Sequence, residues 1–178
     1  PGILGTDIVK VFGHTVARAG LTEQQARDKG YEVASCVVPG ADRPHYYPGS
    51  KPIILKLIAD AKTRKVLGCQ IIGPGEAAKR VDVLATAMSL GATVDQVANL
   101  DLAYAPPYSE ALDNVIMAAN VLRNVIDGVA TKVSAAEVKA RMDGGEDFLL
   151  LDVRSPQEYE AVHIENPRVK LVPLGKLR

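Results

Sequence analysis

The chain of 178 residues has no tryptophan, only two phenylalanines and two cysteines, and no excess charge of either sign, with 21 basic residues against 21 acidic. Each scarcity removes a class of explanation. Zero formal net charge and a pI near 7.3 leave no electrostatic footprint for nucleic acid or a polybasic membrane surface. Apolar runs such as 52–55 and 148–151 are far too short to span a bilayer, and no charged-then-apolar leader opens the sequence. Cys36 and Cys69 sit in strand-like runs, SCVV and VLGCQII, with neither a CxxC spacing nor a nearby histidine pair. Small buried packing residues are therefore favoured over a disulfide or a metal site. Cysteine use of this kind fits a reducing cytoplasm. His14, His45 and His163 are scattered, and no Ser-His-Asp or Cys-His arrangement follows from chain order.

What remains is an ordinary globular composition, 47% hydrophobic and 24% charged, enough for one domain and part of another. Ile8, Val11, Phe12, Val16 and Ala19 recur at helical spacing and predict a helix over 3–19, closed by Gly20. The capping box TEQQ from Thr22 opens a short helix that Gly30 ends. Strands are expected over 31–38, 53–59 and 66–72, forming an antiparallel sheet of at least three strands. Helices follow over 76–90, from the capping box TVDQ at Thr93, and over 110–126 with Ser109 as N-cap. The composition changes at Gly128. Beyond it, Ser134 caps a helix, residues 148–153 read as a buried parallel strand, and SPQE from Ser155 is a capping box with proline at the first helical position. Another strand is expected over 169–172. The sequence opens Pro-Gly without methionine and ends on a β-α-β beginning with no closing half, so it reads as a piece of something longer.

Two motifs invite sharper readings and do not sustain them. Gly73-Pro74-Gly75-Glu76-Ala77-Ala78 matches G-x-G-x-x-A between a strand and a helix, with Asp95 about twenty residues on. Dinucleotide binding needs free N–H groups facing a pyrophosphate, whereas Pro74 removes one and Glu76 sets a carboxylate there. The preceding strand also reads as half of a hairpin. These glycines are better explained by chain entry into the helix. Asp152-Val153-Arg154, followed by Glu158, places a carboxylate and a guanidinium at a strand end, where they are expected to pair with each other or with loop backbone.

The strongest local signal is a pair of proline-stiffened loops rich in tyrosine. ADRPHYYPGS at 41–50 carries Tyr46 and Tyr47, and LAYAPPYSEALD at 102–113 carries Tyr104 and Tyr108. Pro106 and Pro107 have no N–H and fix φ, which excludes helix and disfavours central strand. Tyr31 and Tyr159 lie on elements and are expected to pack. From the residues alone, the loop tyrosines serve as interface contacts, the favoured reading, or as phenol donors to a reacting group, and the two roles can coexist.

HYYPGS from His45, GPGEAAKRVDVLATAM from Gly73 and LAYAPPYSEALDNVI from Leu102 together resemble the dimerisation domain of FAD-dependent pyridine nucleotide-disulfide oxidoreductases. The resemblance runs to the branch of coenzyme A-disulfide reductases and NADH oxidases and peroxidases. The opening, GILGTDIVKVFGHTVARAGLT, is similar to the last helix of an FAD domain, and LLLDVRSPQEYEAVHI from Leu149 resembles the start of a rhodanese domain. Val162 before His163, and Glu165-Asn166-Pro167 after it, depart from the rhodanese pattern, and the rhodanese cysteine loop lies further on.

The resemblance implies an α+β fold, an antiparallel sheet with helices on one face, followed by an incomplete α/β rhodanese-like segment. It divides the chain into 1–20 (end of the FAD domain), 21–127 (dimerisation domain), 128–133 (linker) and 134–178 (rhodanese-like part). It also implies a cytoplasmic homodimeric parent that reduces coenzyme A disulfide or a related per- or polysulfide, with FAD, NAD(P)H and the reactive cysteine held in other domains. No cofactor is then expected on this part, and an NADH oxidase or peroxidase parent, or a dimerisation module without chemistry, are the alternatives. Tyrosines of this domain reach the partner subunit's site in the coenzyme A-disulfide reductases. The resemblance therefore makes one of Tyr46 and Tyr47, and one of Tyr104 and Tyr108, candidates to stabilise a departing thiolate there.

Overall fold

In the computed structural model, which describes residues 3–177, the stretch expected as a helix over 3–19 is a β-hairpin. Strand β1 (Asp7–Val11) turns through Phe12 and Gly13 into β2 (His14–Gly20). The expected helix is thereby corrected over the described residues. The reason is local and then tertiary. Phe12 and Gly13 take consecutive positive φ values of 52° and 109°, a two-residue turn whose twist matches that of paired strands. The β-branched residues Ile8, Val9, Val11, Thr15 and Val16 favour extended chain, and β2 pairs with β5 from Thr15 to Gly20. The helical spacing of the apolar residues carries no burial: β1 is exposed throughout, and β2 buries only Ala17 and Ala19.

With β3 (Val33–Ala41), β4 (Pro52–Asp60) and β5 (Val66–Gly73), the hairpin completes a five-stranded antiparallel sheet of order β1-β2-β5-β4-β3. One face is covered by α2 (Ala78–Ser89), which packs on β5 and β2, and by α4 (Asn114–Ile126), which packs on β3 and β4. Between the two runs the short α3 (Val94–Ala98). Strict alternation sends Ile53, Leu55 and Leu57 of β4 into this core with Ile71, Val81, Leu84, Val115 and Leu122. Both cysteines are packing residues: Cys36 Sγ donates to Ala118 O at 3.3 Å, and burial pushes the Cys69 thiol up to about 12. The fold class read from sequence, α+β with the long helices on one face of an antiparallel sheet, is the one observed.

On the other face Val9, Val16, Ile72 and Ile54 stand opposite one another across four strands, an apolar row between 39% and 47% exposed. The short α1 (Glu23–Asp28), opened by the Thr22–Gln25 capping box, touches a corner of the sheet through Glu23, which pairs with Lys56 Nζ at 2.7 Å and accepts from Ser35 Oγ at 3.2 Å. Arg64, with φ of 62° in the β4–β5 turn, pairs with Asp95 of α3 and with Asp127 at the end of α4, each at 2.6 Å.

A second unit, residues 132–178, holds α5 (Ala135–Asp143), β6 (Leu150–Asp152), α6 (Pro156–Ala161) and β7 (Val169–Leu171). The Ser134 and Ser155 capping boxes form as expected, and β6 pairs with β7 in parallel. The strand expected to be buried is not: Leu149, Leu151 and Val153 are each at least 40% exposed, and among the described residues β6 pairs with β7 alone. No described residue of this unit is fully buried.

Two outcomes follow for stability. A Cβ at Gly20, whose φ is +72°, would lie 2.3 Å from Leu67 O and 2.9 Å from Met88 Sδ. Gly20→Ala should cost about 2–4 kcal/mol by thermal unfolding, and an unchanged melting temperature would contradict this packing. The hydrogen bond from Lys56, helped by Arg27 and working against burial, holds the Glu23 carboxyl down to about 2 from its ordinary 4.5. Its contribution is complete above pH 4.5 and is lost as the pH falls toward 2. The stability gap between wild type and Lys56→Met should thus be about 1 kcal/mol near pH 6 and vanish near pH 2 in denaturant titrations.

Candidate functional site

The first tyrosine loop is latched at its neck. Asp42 N donates to Lys51 O and Lys51 N donates to Asp42 Oδ1, both at 2.9 Å, so the two ends are zipped by one residue's backbone and side chain. Inside, Tyr47 N donates to Pro44 O at 2.8 Å and Ser50 Oγ to Arg43 O at 2.9 Å. The other Asp42 oxygen accepts from Glu76 N and from the Arg43 guanidinium, each at 3.1 Å. Burial alone would push the Asp42 carboxyl up, but the donors at Lys51, Arg43 and Glu76 together hold it below the usual aspartate range.

The second loop is closed by a short turn, with Tyr108 N donating to Ala105 O at 2.9 Å and Ser109 Oγ to Ala103 O at 3.3 Å. Ser109 is therefore spent inside the loop and is not the helix cap. Helix α4 starts at Asn114, and Asp113 is its N-cap, accepting from Val115 N at 3.1 Å. The sequence favoured Ser109 because serine is a good cap, but the Pro106-Pro107 turn pulls it inward and leaves the next cap residue to act.

These loops meet at their tyrosines. The Tyr46 phenol stands beside that of Tyr104 and, with partial desolvation and the nearby Glu110 carboxylate, pushes the Tyr104 hydroxyl above the ordinary tyrosine range. Tyr46 is 66% and Tyr104 48% exposed, so the pair faces outward. The His45 ring stands edge-on to Tyr46, with centroids 5.8 Å apart. Of the four candidates, the structure joins Tyr46 with Tyr104. Tyr47 is half-buried within the first loop, and Tyr108 is 69% exposed at the tip of the second.

Three residues that join the loops escaped the sequence reading. Arg80 of α2 is fully buried, and its guanidinium donates to Asp42 O at 2.7 Å, to Glu76 O at 2.6 Å and to Asp113 Oδ1 at 3.2 Å. Asp113 Oδ2 lies 2.9 Å from Nη2 but takes no hydrogen bond. Asp42 and Asp113 are each 2% exposed. A signal existed: Arg80 lies on the apolar stripe of α2, four residues before Leu84, and a charge there must be paired inside the protein.

The glycine-rich turn is not a nucleotide site. Its preceding strand, β5, is antiparallel to both neighbours, and Glu76 Oε1 accepts from Ala78 N at 2.6 Å, filling the place a phosphate would take. Cβ atoms at Gly73 and Gly75 would press on Pro52 O and Ile53, so close backbone approach explains these glycines. In the second unit Arg154 pairs with Asp152 at 2.7 Å and donates to Val162 O at 2.8 Å, the structural pairing expected. His163 stacks on Tyr159 with centroids 4.0 Å apart. Among the described residues no group of three or more His, Cys, Asp or Glu is placed to hold a metal, and no helix is long and apolar enough to cross a membrane.

Residues 6–116 match a family profile described as the pyridine nucleotide-disulphide oxidoreductase dimerisation domain, a match that takes in the whole hairpin. The chain is 38% identical over 123 residues to the NAD(P)H coenzyme A polysulfide/persulfide reductase of Pyrococcus horikoshii, covering 69% of this chain and 27% of that protein. It is also 38% identical over 116 residues to the coenzyme A disulfide reductase of Staphylococcus aureus, covering 65% and 26%. Among solved structures, the NAD-dependent persulfide reductase from A. fulgidus superposes with a TM-score of 0.89 at 46% identity, over 99% of this chain and 31% of that one. The chain spans less than a third of the length of each of these proteins.

The closeness of the two phenols is open to a direct check. In a chain labelled at the tyrosine ring carbons, Tyr104 should titrate above the ordinary tyrosine range, and Tyr46→Phe should lower its midpoint. A Tyr104 midpoint indifferent to that substitution would show that the rings do not meet.

Proposed function

Because the chain belongs to the pyridine nucleotide-disulphide oxidoreductase family through its dimerisation domain, we propose that it pairs the subunits of an NAD(P)H- and FAD-dependent reductase of coenzyme A disulfide or a related per- or polysulfide. In this reading Tyr46 and Tyr104 are offered together to thiol chemistry in the partner subunit. The observation that carries it is the meeting of one tyrosine from each loop, both exposed, on two loops fastened from beneath. The names of the relatives from P. horikoshii and S. aureus supply the substrate class.

The chemistry asked of the pair is electrostatic. Cleaving a disulfide or persulfide turns a sulfur into a thiolate, and its departure is faster the better that negative charge is received. A phenol O–H held within reach donates to the leaving sulfur and lowers the barrier without becoming covalently involved. With the two phenols side by side, a hydroxyl of the pair can turn its proton toward the sulfur. FAD, reduced by NAD(P)H, supplies the electrons in the parent. Neither is assigned to the residues described here, since the glycine-rich turn is filled by Glu76.

Two subunits are taken to join through the open sheet face, where Val9, Val16, Ile72 and Ile54 form an apolar row, and through α4. Residues 21–127 act as the dimerisation domain in this reading, with the hairpin before them joined to the same sheet. The linker 128–133 leads to residues 134–178 as a rhodanese-like part, supported by the Asp152–Arg154 pairing and by a structural likeness that spans the whole chain. A rhodanese-like neighbour would handle sulfane sulfur, and the setting proposed is the cytoplasm.

In the full-length parent, Tyr46→Phe and Tyr104→Phe should each cut disulfide or persulfide turnover on the order of a hundredfold while leaving flavin reduction by NAD(P)H intact. Tyr47→Phe and Tyr108→Phe should turn over normally. If all four variants match wild type, the rings are interface packing and the domain only assembles the dimer.

A further inference from the structure

Resting on that reading, we infer that Arg80 is a positioning residue whose buried guanidinium fastens both tyrosine loops to α2 and so sets the meeting of Tyr46 with Tyr104. Its contacts divide between the loops. Nη2 holds Asp42 O, at the neck of the first loop and four residues before Tyr46, at 2.7 Å. Nε holds Asp113 Oδ1, at the end of the second loop and the start of α4, at 3.2 Å. Nη1 donates to Glu76 O at 2.6 Å, which anchors the fork to the entry of its own helix.

The same two ends are drawn together a second time. Asn114 Nδ2 donates to Ala41 O at 2.7 Å, and this approach exists because residue 40 is glycine: a Cβ there would lie 1.9 Å from Asn114 Oδ1. The neck of the first loop is thus held to the start of α4 directly by Asn114 and through Arg80. Asp42 then carries the restraint onward, since its carboxylate receives Lys51 N, the Arg43 guanidinium and Glu76 N.

Stability alone does not call for an arginine here. Burying a guanidinium and a carboxylate costs about what their attraction returns, and well-packed apolar residues of similar volume commonly serve as well. What an apolar side chain lacks is direction. A planar fork satisfies three acceptors from three segments at fixed angles, which a lysine ammonium cannot reproduce. The pairing of two exposed phenols on separate loops is the feature that needs such a fixed geometry, because an error near 1 Å at a reacting group costs on the order of a hundredfold.

The test reads the coupling of the two phenols, which a role in general stability would not move. In the labelled chain, Tyr46→Phe should lower the Tyr104 midpoint in the wild-type background and leave it unmoved in Arg80→Lys, provided circular dichroism shows a native fold. If Arg80→Lys does not fold, Asp113→Asn decides in its place, since asparagine keeps the helix cap while removing the charge that faces Arg80. Undiminished coupling in a folded variant overturns the inference. Loss of the fold in both variants also overturns it, because Arg80 would then be a stability residue. In the full-length parent, Arg80→Lys should lower disulfide turnover by about tenfold or more with flavin reduction unchanged. Normal turnover of Tyr46→Phe in that parent, with coupling still lost in Arg80→Lys, would sink the functional reading and leave the positioning intact.

Discussion

A guanidinium cut off from water must find all its partners inside the protein, and that demand organises this domain. Arg80 is fully buried, and its acceptors come from three places: the neck of the first loop, the entry of its own helix and the cap of α4. Removing any one acceptor leaves a buried charge short of a partner, which is far more costly than the net worth of the contact. The loops are therefore not free to drift. Their tips are exposed, yet their bases are buried and hydrogen-bonded at Asp42 and Asp113, and this combination lets two phenols on different loops meet in the open.

Much of this was legible in the sequence, and the failures have physical causes. The three strands from β3 to β5, the helices, four capping boxes and both tyrosine loops follow from alternation, capping chemistry and proline placement. The opening hairpin did not, because its apolar residues recur at helical spacing without forming a buried stripe, while Phe12-Gly13 is a turn and β5 offers a free edge. The α4 cap moved from Ser109 to Asp113 because a hydroxyl near two prolines found a carbonyl within its own loop first. Local propensity settled neither case: β2 is fixed by β5, distant in the chain, and Ser109 by a carbonyl six residues back in its own loop.

The site was half legible. Both loops stood out, but which tyrosine of each loop pairs with the other depends on tertiary placement that spacing does not encode. Arg80 carried a quieter signal, a charge on an apolar helical stripe, which is informative only to a reader who asks where its partners are. The glycine-rich turn teaches the converse. Gly73 and Gly75 fit a dinucleotide pattern, yet Pro52 O and Ile53 crowd them and Glu76 fills the helix end, so backbone packing accounts for what the pattern suggested.

The central claim is that two loops of one subunit bring Tyr46 and Tyr104, as a pair, to sulfur chemistry in the other. A crystal structure of the full-length parent carrying its disulfide or persulfide substrate tests this most directly. The account predicts a phenol oxygen of the pair within hydrogen-bonding distance, about 3–3.5 Å, of a reacting sulfur across the dimer interface, with Tyr46 and Tyr104 still side by side. A pair that faces bulk solvent, or one split apart in the complex with neither oxygen near sulfur, would contradict it.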